Sequence, residues 1–229
     1  MILYSHSKNF ILIALMASSL DLKANGRTDG GYFDCPCPLI LAHQGAANDL
    51  PGNTVEAFQL AFGQGAKIIE LDIWRTKDNV WAVAHDRNLE RITGTDRNVN
   101  ELTFQEIQSL DAGYTFQNAE GKFPYRGKNF KIPSLEAVFR NFNHNRINIE
   151  IKGKSVGGLD DLIKLINAYN MNNKVLVVSR SYRVISRFRS LTRDKIPTGA
   201  SFMDAIKSRL FGQVSKVRIS LQSRPIAVL

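Results

Sequence analysis

The feature of this chain that most constrains its fold is a regular alternation between short apolar runs and longer segments with helical periodicity. The apolar runs are residues 39–42, 68–73, 80–84, 147–151 and 174–179. Near-continuous apolar strands of this kind are typical of a parallel sheet that is buried on both faces. The alternation therefore predicts an α/β fold, either a (β/α) barrel or a doubly wound open sheet.

Helical patterns fill most of the intervals between these runs. In the first interval, Asn53 stands in the position of an N-cap, Glu56 follows three residues later as in a capping box, and Gly65 can end the helix in the left-handed conformation. The segment 87–131 interrupts the rhythm. It is rich in Gly, Asn, Asp and Lys and is too long for an ordinary connection, so we expect an insertion over one face of the sheet. Further helical patterns begin near Ser134, Gly158 and Tyr182.

The N-terminal segment shows the order of features that is typical of a secretory signal peptide. Lys8 precedes the apolar run 10–20, and small residues follow up to Ala24. A run of 11 residues is too short to cross a bilayer as a helix. We therefore expect residues 1–24 to be a signal peptide that exports the protein to the periplasm or the extracellular space. A helix docked on the domain, or an uncleaved anchor, is the alternative.

The rest of the chain is predicted to form a short N-terminal extension, residues 25–37, and one domain, residues 38–229. The sequence has 229 residues and 44% hydrophobic content, which suffice for a single sizeable core. Cys35 and Cys37 lie too close in sequence for an ordinary structural disulfide, and we assign them no catalytic role.

The chain is strongly basic, with a formal net charge of +9. Such a charge favours nucleic acid, an anionic membrane surface or a phosphate-bearing substrate. No RNA-recognition, zinc-finger or homeodomain pattern accompanies it, so no nucleic-acid partner is predicted. Arginines cluster in the helical stretch after the fifth run, where a solvated outer face is the simpler interpretation and contact with anionic lipid is the alternative. These are Arg180, Arg183, Arg187, Arg189 and Arg193. The oligomeric state is not predicted.

Ionisable side chains stand where four of the apolar runs end. They are His43, Glu70, Asp72, His85, Glu150 and Lys152. In a parallel barrel, side chains at the carboxyl ends of the strands face the mouth of the active site. Residues two apart in a strand point to the same side, so Glu70 and Asp72 project together, as do Glu150 and Lys152. We therefore expect two histidines, three carboxylates and a lysine at one rim.

Each of these residues alone would more often have a structural role, but the combination is informative. Buried carboxylates that are grouped at one rim repel each other unless a cation or a proton lies among them. Three carboxylates form a hard, oxygen-only site, which suits Ca²⁺ or Mg²⁺ and not zinc. The pattern therefore predicts one bound divalent cation.

Several blocks of the sequence resemble the glycerophosphodiester phosphodiesterases, in the same order and at similar spacing. The blocks are LAHQGAANDLPGNTVEAF, GAKIIELDIWRTKDNVWAVAHDRNLERITG, DAGYTF, KIPSLEAVF and INIEIKG. Because they are independent of one another, the resemblance is specific, and it covers roughly residues 39–202. It implies a TIM-type (β/α) barrel enzyme of glycerophospholipid metabolism. Such an enzyme hydrolyses small glycerophosphodiesters to an alcohol and glycerol 3-phosphate.

The resemblance also implies a role for each residue at the rim. Three carboxylates resemble the family's divalent-metal ligands, two histidines its acid/base pair, and one lysine its phosphate contact. In that order, they are Glu70, Asp72 and Glu150, then His43 and His85, then Lys152. This chain departs from the family at two positions. Gln44 stands where the family usually has Arg, and Gly52 replaces an acidic residue before Asn53. A glutamine can still bind a phosphate oxygen but brings no charge, so weaker substrate binding is expected.

The third departure lies in the C-terminal part of the chain. A sixth strand is expected near residues 198–202 and a seventh near 216–221, while the closing strands of the family barrel are missing. We therefore expect a barrel that is open at its C-terminal side, which would expose sheet edges. Two alternatives to an active hydrolase follow: a catalytically weak or silent barrel that binds phosphate or lipid, and a non-functional truncated chain. A phospholipase that acts on intact or lyso-phospholipids is a related enzyme hypothesis.

Overall fold

The computed structural model describes residues 31–32, 39–200 and 226–228. The predicted signal peptide, Cys35 and Cys37, and the seventh strand expected near 216–221 lie outside the described residues. Among the residues that are described, none of the helices combines the length and hydropathy needed to cross a membrane.

The core of the fold is a parallel β-sheet flanked by helices. The strands are β1 (Leu39–His43), β2 (Ile68–Arg75), β3 (Trp81–Val83), β4 (Arg146–Ile151), β5 (Val175–Val178) and β6 (Ile226–Val228). Five of them form the order β5-β4-β2-β1-β6, and every neighbouring pair along this path is parallel. Beyond β5, Thr198 forms a parallel bridge with Val177, which is where the sixth strand was expected to begin. The predicted α/β class is thus confirmed, and the sheet does not close into a complete barrel within the described residues.

Strand β3 does not have the role that its sequence suggested. The run 80–84 was expected to be a third parallel strand, but β3 is antiparallel to β2 and lies off the main path of the sheet. The physical reason is the short connection between the two strands, which is a tight turn in which Asn79 adopts a positive φ of 68°. Antiparallel strands can be joined by such a turn, whereas parallel strands need a crossover of a dozen or more residues.

Six α-helices connect and cover the strands within the described part of the chain. They are α1 (Val55–Gly63), α2 (Glu90–Thr93), α3 (Phe104–Ser109), α4 (Leu135–Phe142), α5 (Leu159–Ala168) and α6 (Tyr182–Thr192). Helix α4 begins at the predicted position, where the Ser134 side chain accepts a hydrogen bond from the Ala137 amide. The N-cap of α1 is Thr54, whose side chain accepts from the Ala57 amide, and not Asn53 as expected. Asn53 is therefore free to serve the functional site.

Two hydrophobic clusters stabilise the sheet and the insertion. The larger cluster fills the space between the strands and helices α1, α4, α5 and α6, with Phe58, Phe139 and Phe188 fully buried. The smaller one lies within and beneath the segment 87–131, around Leu89, Val99 and other buried aliphatic residues. The insertion thus has its own packed base, containing α2, α3 and a short 3₁₀ helix (Val99–Glu101), which holds it over the end of β3.

Candidate active site

The pairing register of the sheet brings the rim residues together. His43, the last residue of β1, is paired with Glu70 on β2, and Asp72 is paired with Glu150 on β4. Glu70 and Asp72 are two residues apart on β2 and therefore lie on the same face. The result is a diagonal row of side chains across three adjacent parallel strands, as the sequence predicted.

Three buried carboxylates form the centre of this row. Each of Glu70, Asp72 and Glu150 offers one oxygen, and these oxygens all lie within 4.8 Å of one another. The expected convergence of the three side chains is therefore observed. Three oxygen donors at this spacing match the ligand chemistry of a hard divalent cation.

Lys152 partly balances the charge of these carboxylates. Its Nζ lies 2.9 Å from Asp72 Oδ1 and 2.9 Å from Glu150 Oε2. Burial alone would lower the pKa of Lys152, but the two carboxylates hold it above its ordinary value. The lysine is therefore charged at neutral pH, and its ammonium group sits at the edge of the acidic cluster.

Lys152 is buried with the three carboxylates, and the second cation in reach, Arg180, is largely exposed, so the buried cluster carries excess negative charge. Burial and the nearby Asp72 raise the pKa of Glu70 well above its ordinary value. The hydrogen bond that the backbone amide of Gln44 donates to Glu70 lowers this pKa but does not offset the other two effects. Asp72 Oδ1 and Glu150 Oε1 are buried, and neither accepts a well-directed hydrogen bond within the described residues. Their remaining contacts are ionic, to Lys152 and, at 3.6 Å, to Arg180 Nε. A buried Glu150 oxygen whose ionic partner is 3.6 Å away and an excess of buried negative charge both fit a site built to hold a cation.

The two histidines flank this cluster. His43 is about half exposed, and its Nε2 lies 3.7 Å from Glu70 Oε2. Partial burial of the ring lowers the pKa of His43. The negative charge of Asp72 acts in the opposite direction, whereas His85 and Lys152 lower this pKa further. His85 follows β3 and comes back to the rim because β3 runs antiparallel along the end of β2, where the Ala84 amide donates to the Asp72 carbonyl. Both histidines therefore reach the site, although by different routes.

His85 is oriented by residues that sequence analysis did not identify. Its Nδ1 lies 2.6 Å from Asp86 Oδ1, and its carbonyl accepts a hydrogen bond from Trp74 Nε1 at 3.1 Å. Asp86 is in turn held by the Arg91 guanidinium. Burial would raise the pKa of Asp86, but the hydrogen bonds from Arg91 and His85 hold it below its ordinary value. With Nδ1 engaged in this way, Nε2 is the ring atom of His85 that remains for substrate. A His-Asp dipeptide is too common for the sequence to have shown this.

Gln44 and Asn53 both donate to Asp72. The Gln44 side-chain amide lies 3.3 Å from Asp72 Oδ2, and the Asn53 amide lies 3.2 Å from the same oxygen. Both residues adopt a positive φ, 57° for Gln44 and 60° for Asn53, which turns their side chains inward from the loop after β1. Gln44 was expected to contact substrate phosphate, a role that stays a prediction. Asn53 was assigned to a helix cap. Asparagine tolerates the left-handed conformation, and a Gly-Asn pair is typical of a turn. The sequence therefore also favoured a turn at Asn53, which the assignment as a helix cap did not take into account.

Comparison with known proteins supports the location of this candidate active site. The sequence model of the glycerophosphoryl diester phosphodiesterase family matches residues 43–197, which span the whole rim. The chain belongs to this family. A glycerophosphodiester phosphodiesterase from Caldanaerobacter subterraneus is 37% identical over 146 residues, and a human lysophospholipase D is 32% identical over 151 residues. The crystal structure of a glycerophosphodiester phosphodiesterase from Agrobacterium tumefaciens superposes with a TM-score of 0.62 at 28% identity, over 69% of this chain.

These matches do not extend over the full length of the relatives. The chain covers 57% of the Caldanaerobacter enzyme, 46% of the human one and 64% of the Agrobacterium structure. In turn, the two sequence matches include 62% and 64% of this chain. Membership of the family therefore rests on the strands and loops that carry the site.

Proposed function

We propose that the protein hydrolyses glycerophosphodiesters to an alcohol and glycerol 3-phosphate, with one bound Ca²⁺ or Mg²⁺. The observation that carries this proposal is the convergence of Glu70, Asp72 and Glu150 beside Lys152, with His43 3.7 Å from Glu70 and His85 within electrostatic reach of His43. The oxygen-only donor set suits these two cations. We also propose that the protein acts after export through its N-terminal segment.

Hydrolysis of a phosphodiester requires that negative charge on the phosphoryl oxygens be stabilised. A cation held by the three carboxylates would supply Lewis-acid stabilisation of that charge. Lys152 already carries its charge at the same point, where its fixed ammonium group can bind a phosphoryl oxygen. The carboxylates therefore hold the positive charge of Lys152 in place as well as providing the cation site.

The reaction also requires one proton acceptor and one proton donor. The lowered pKa of His43 favours its neutral form at neutral pH, so we assign His43 the removal of a proton from the nucleophile. His85 has Nδ1 engaged by Asp86, which leaves Nε2 for substrate, so we assign it the donation of a proton to the departing alkoxide. The two assignments require the histidines to lie on opposite sides of the phosphoryl group.

The direct test is an assay of the protein with glycerophosphocholine, in which glycerol 3-phosphate is measured enzymatically. We expect release that requires added Ca²⁺ or Mg²⁺ and that stops when EDTA is present. Lysophosphatidylcholine serves as a second substrate, because one relative of the chain is named a lysophospholipase D. Metal binding measured by calorimetry without any turnover would reject the hydrolase and favour a silent phosphate-binding barrel.

The alternative of a weakened or silent barrel is favoured by Gln44, whose amide donates to Asp72 in the acidic cluster. We predict that Gln44→Arg raises kcat/KM by roughly ten- to a hundredfold, because a hydrogen bond to a charged group contributes on the order of 1.5–3 kcal/mol. A side chain is already present at this positive φ, so the replacement adds no backbone strain. A Cβ at position 52 would lie only 3.2 Å from Gln44 Oε1. Because Gly52 has no Cβ, it leaves space for a longer side chain at position 44.

Gln44→Lys is the matched control for this prediction. It adds the same charge without the planar fork that binds two phosphate oxygens, so its gain should be smaller than that of Gln44→Arg. Steady-state kinetics on glycerophosphocholine would measure both. If neither variant exceeds the parent while both bind metal, residue 44 does not limit phosphate binding.

A further inference from the structure

The insertion carries an exposed cluster that the proposed reaction does not use. We name Tyr114, Phe123 and Arg126 the aromatic–arginine stack. The guanidinium carbon of Arg126 lies 4.3 Å from the ring centroid of Tyr114 and 3.8 Å from that of Phe123. Tyr114 and Phe123 are 42% and 39% exposed, and they are the large hydrophobic residues that are exposed within the described part of the chain. Exposure of two rings in a single cluster needs an explanation.

The guanidinium group of Arg126 is held rigidly and still has donors available. Its Nε donates to the Tyr114 carbonyl at 2.7 Å, and its guanidinium carbon lies over both aromatic rings. Within the described residues, its two Nη atoms have no hydrogen-bonding or ionic partner. A planar fork that is fixed in this way suits a phosphate group, because little side-chain entropy is lost when the anion binds.

The stack lies on the same side of the molecule as the active site. The hydroxyl of Thr115, next to Tyr114, donates to the Arg91 carbonyl at 2.5 Å. Arg91 in turn holds Asp86, the partner of His85. On the other flank, the Tyr125 hydroxyl donates to the carbonyl of Asp49, in the loop after β1. The insertion thus connects the stack to the loop that follows His43 and to the segment that holds Asp86, the partner of His85.

The surroundings of the stack are basic. Lys122 and Lys128 are exposed beside it in sequence, and Lys131 follows. Two carboxylates lie nearby: Glu120 pairs with Lys122 at 2.8 Å, and Asp111 accepts hydrogen bonds from the Gly113 and Gly127 amides, so the basic side chains still outnumber the acidic ones. The chain as a whole carries a formal net charge of +9. The charge of this surface therefore complements an anionic partner.

We infer that the aromatic–arginine stack docks the protein on an anionic phospholipid bilayer. The Nη atoms of Arg126 bind a lipid phosphate, and the two rings enter the headgroup region, where aromatic side chains are favourable. Each basic residue at such a surface strengthens binding by about fivefold, and salt weakens it. This interaction does not depend on the proposed hydrolysis. Docking would bring the mouth of the site close to the membrane surface.

The test is co-sedimentation of the full protein with vesicles of phosphatidylcholine containing phosphatidylglycerol, compared with vesicles of phosphatidylcholine alone. We expect stronger binding to the anionic vesicles and about fivefold weaker binding for Arg126→Ala. Phe123→Ala should also weaken binding, because it removes an inserted ring. Arg126→Lys keeps the charge but not the fork and should fall between the parent and Arg126→Ala. Circular dichroism and thermal melting would show that these exposed replacements leave the fold intact.

Arg187→Ala is the matched control, because Arg187 is an exposed arginine on α6, away from the insertion. It should leave the dissociation constant nearly unchanged. Equal losses for Arg187→Ala and Arg126→Ala would show a diffuse charge effect and overturn the proposal. An unchanged Arg126→Ala would also overturn it. The proposal would also be overturned if Arg126→Ala weakened binding to a single-stranded oligonucleotide as much as binding to the vesicles, since that would indicate a general polyanion site. Inorganic phosphate at millimolar concentration should leave vesicle binding largely intact, and complete competition would instead assign the fork to free phosphate.

Discussion

Replacement of either His43 or His85 by Ala is expected to lower kcat for glycerophosphocholine by about 10²–10⁴-fold, the usual contribution of a positioned acid or base. Metal affinity should change little, because the cluster of Glu70, Asp72 and Glu150 forms without either imidazole. The two variants should also differ in their pH profiles. Loss of His43 should remove the acidic limb, since turnover of the parent falls at low pH when this base is protonated. Steady-state kinetics from pH 5 to 9, roughly the range in which His titrates, would measure both effects.

The control for this prediction is His144→Ala. His144 is exposed and precedes β4, so it lies at the opposite end of that strand from Glu150. Its removal should leave kcat unchanged. An Ala variant of His43 or His85 that keeps nearly full turnover would remove that residue from the acid/base pair. If the His43 variant also lost metal affinity, its contact with Glu70 would be structural and not catalytic.

The rim could be predicted from sequence because it depends on strand ends, and strand ends are visible as limits of apolar runs. The runs 68–73 and 147–151 lie in β2 and β4, although β2 continues to Arg75, and the parallel register sets Asp72 and Glu150 opposite each other. His85 was also expected at the rim, although for the wrong reason. The apolar run before it was taken for a parallel strand, whereas the short turn at Asn79 forces an antiparallel one. Connection length would have decided this question from sequence alone.

Other parts of the site depend on contacts that leave no pattern in the sequence. Arg91 meets Asp86 through a local turn of the chain that has no periodic signature, and Asn53 reaches Asp72, 19 residues away, with a positive φ. The pairing of β6 with β1 joins residues nearly 200 positions apart and could not be inferred from local periodicity. Long-range contacts of this kind are specified by the whole fold and not by the segments that form them.

The second large effect is expected from Glu70→Gln, which should stabilise the protein without metal and strongly weaken metal binding. Burial and Asp72 raise the pKa of Glu70 well above its ordinary value, so the folded state binds this proton more tightly than the unfolded state does. Stability of the metal-free parent therefore falls as pH rises from the ordinary Glu pKa toward the raised one. A glutamine does not titrate. The melting temperature of Glu70→Gln in EDTA should thus match the parent at acid pH and exceed it at neutral pH.

Addition of Ca²⁺ or Mg²⁺ should reverse this order. The parent gains stability in proportion to RT ln(1 + [L]/Kd), since the cation binds only the folded state. Glu70→Gln lacks one charged ligand, and its metal affinity should fall by at least about a hundredfold, the upper end of the loss seen when only an outer-shell partner is removed. Calorimetry and melting curves with and without metal measure both quantities. Glu56→Gln, an exposed carboxylate on α1, should change neither. If Glu70→Gln were destabilised in EDTA at neutral pH, the excess negative charge would already be compensated by Lys152, and the electrostatic case for a cation among these carboxylates would fail.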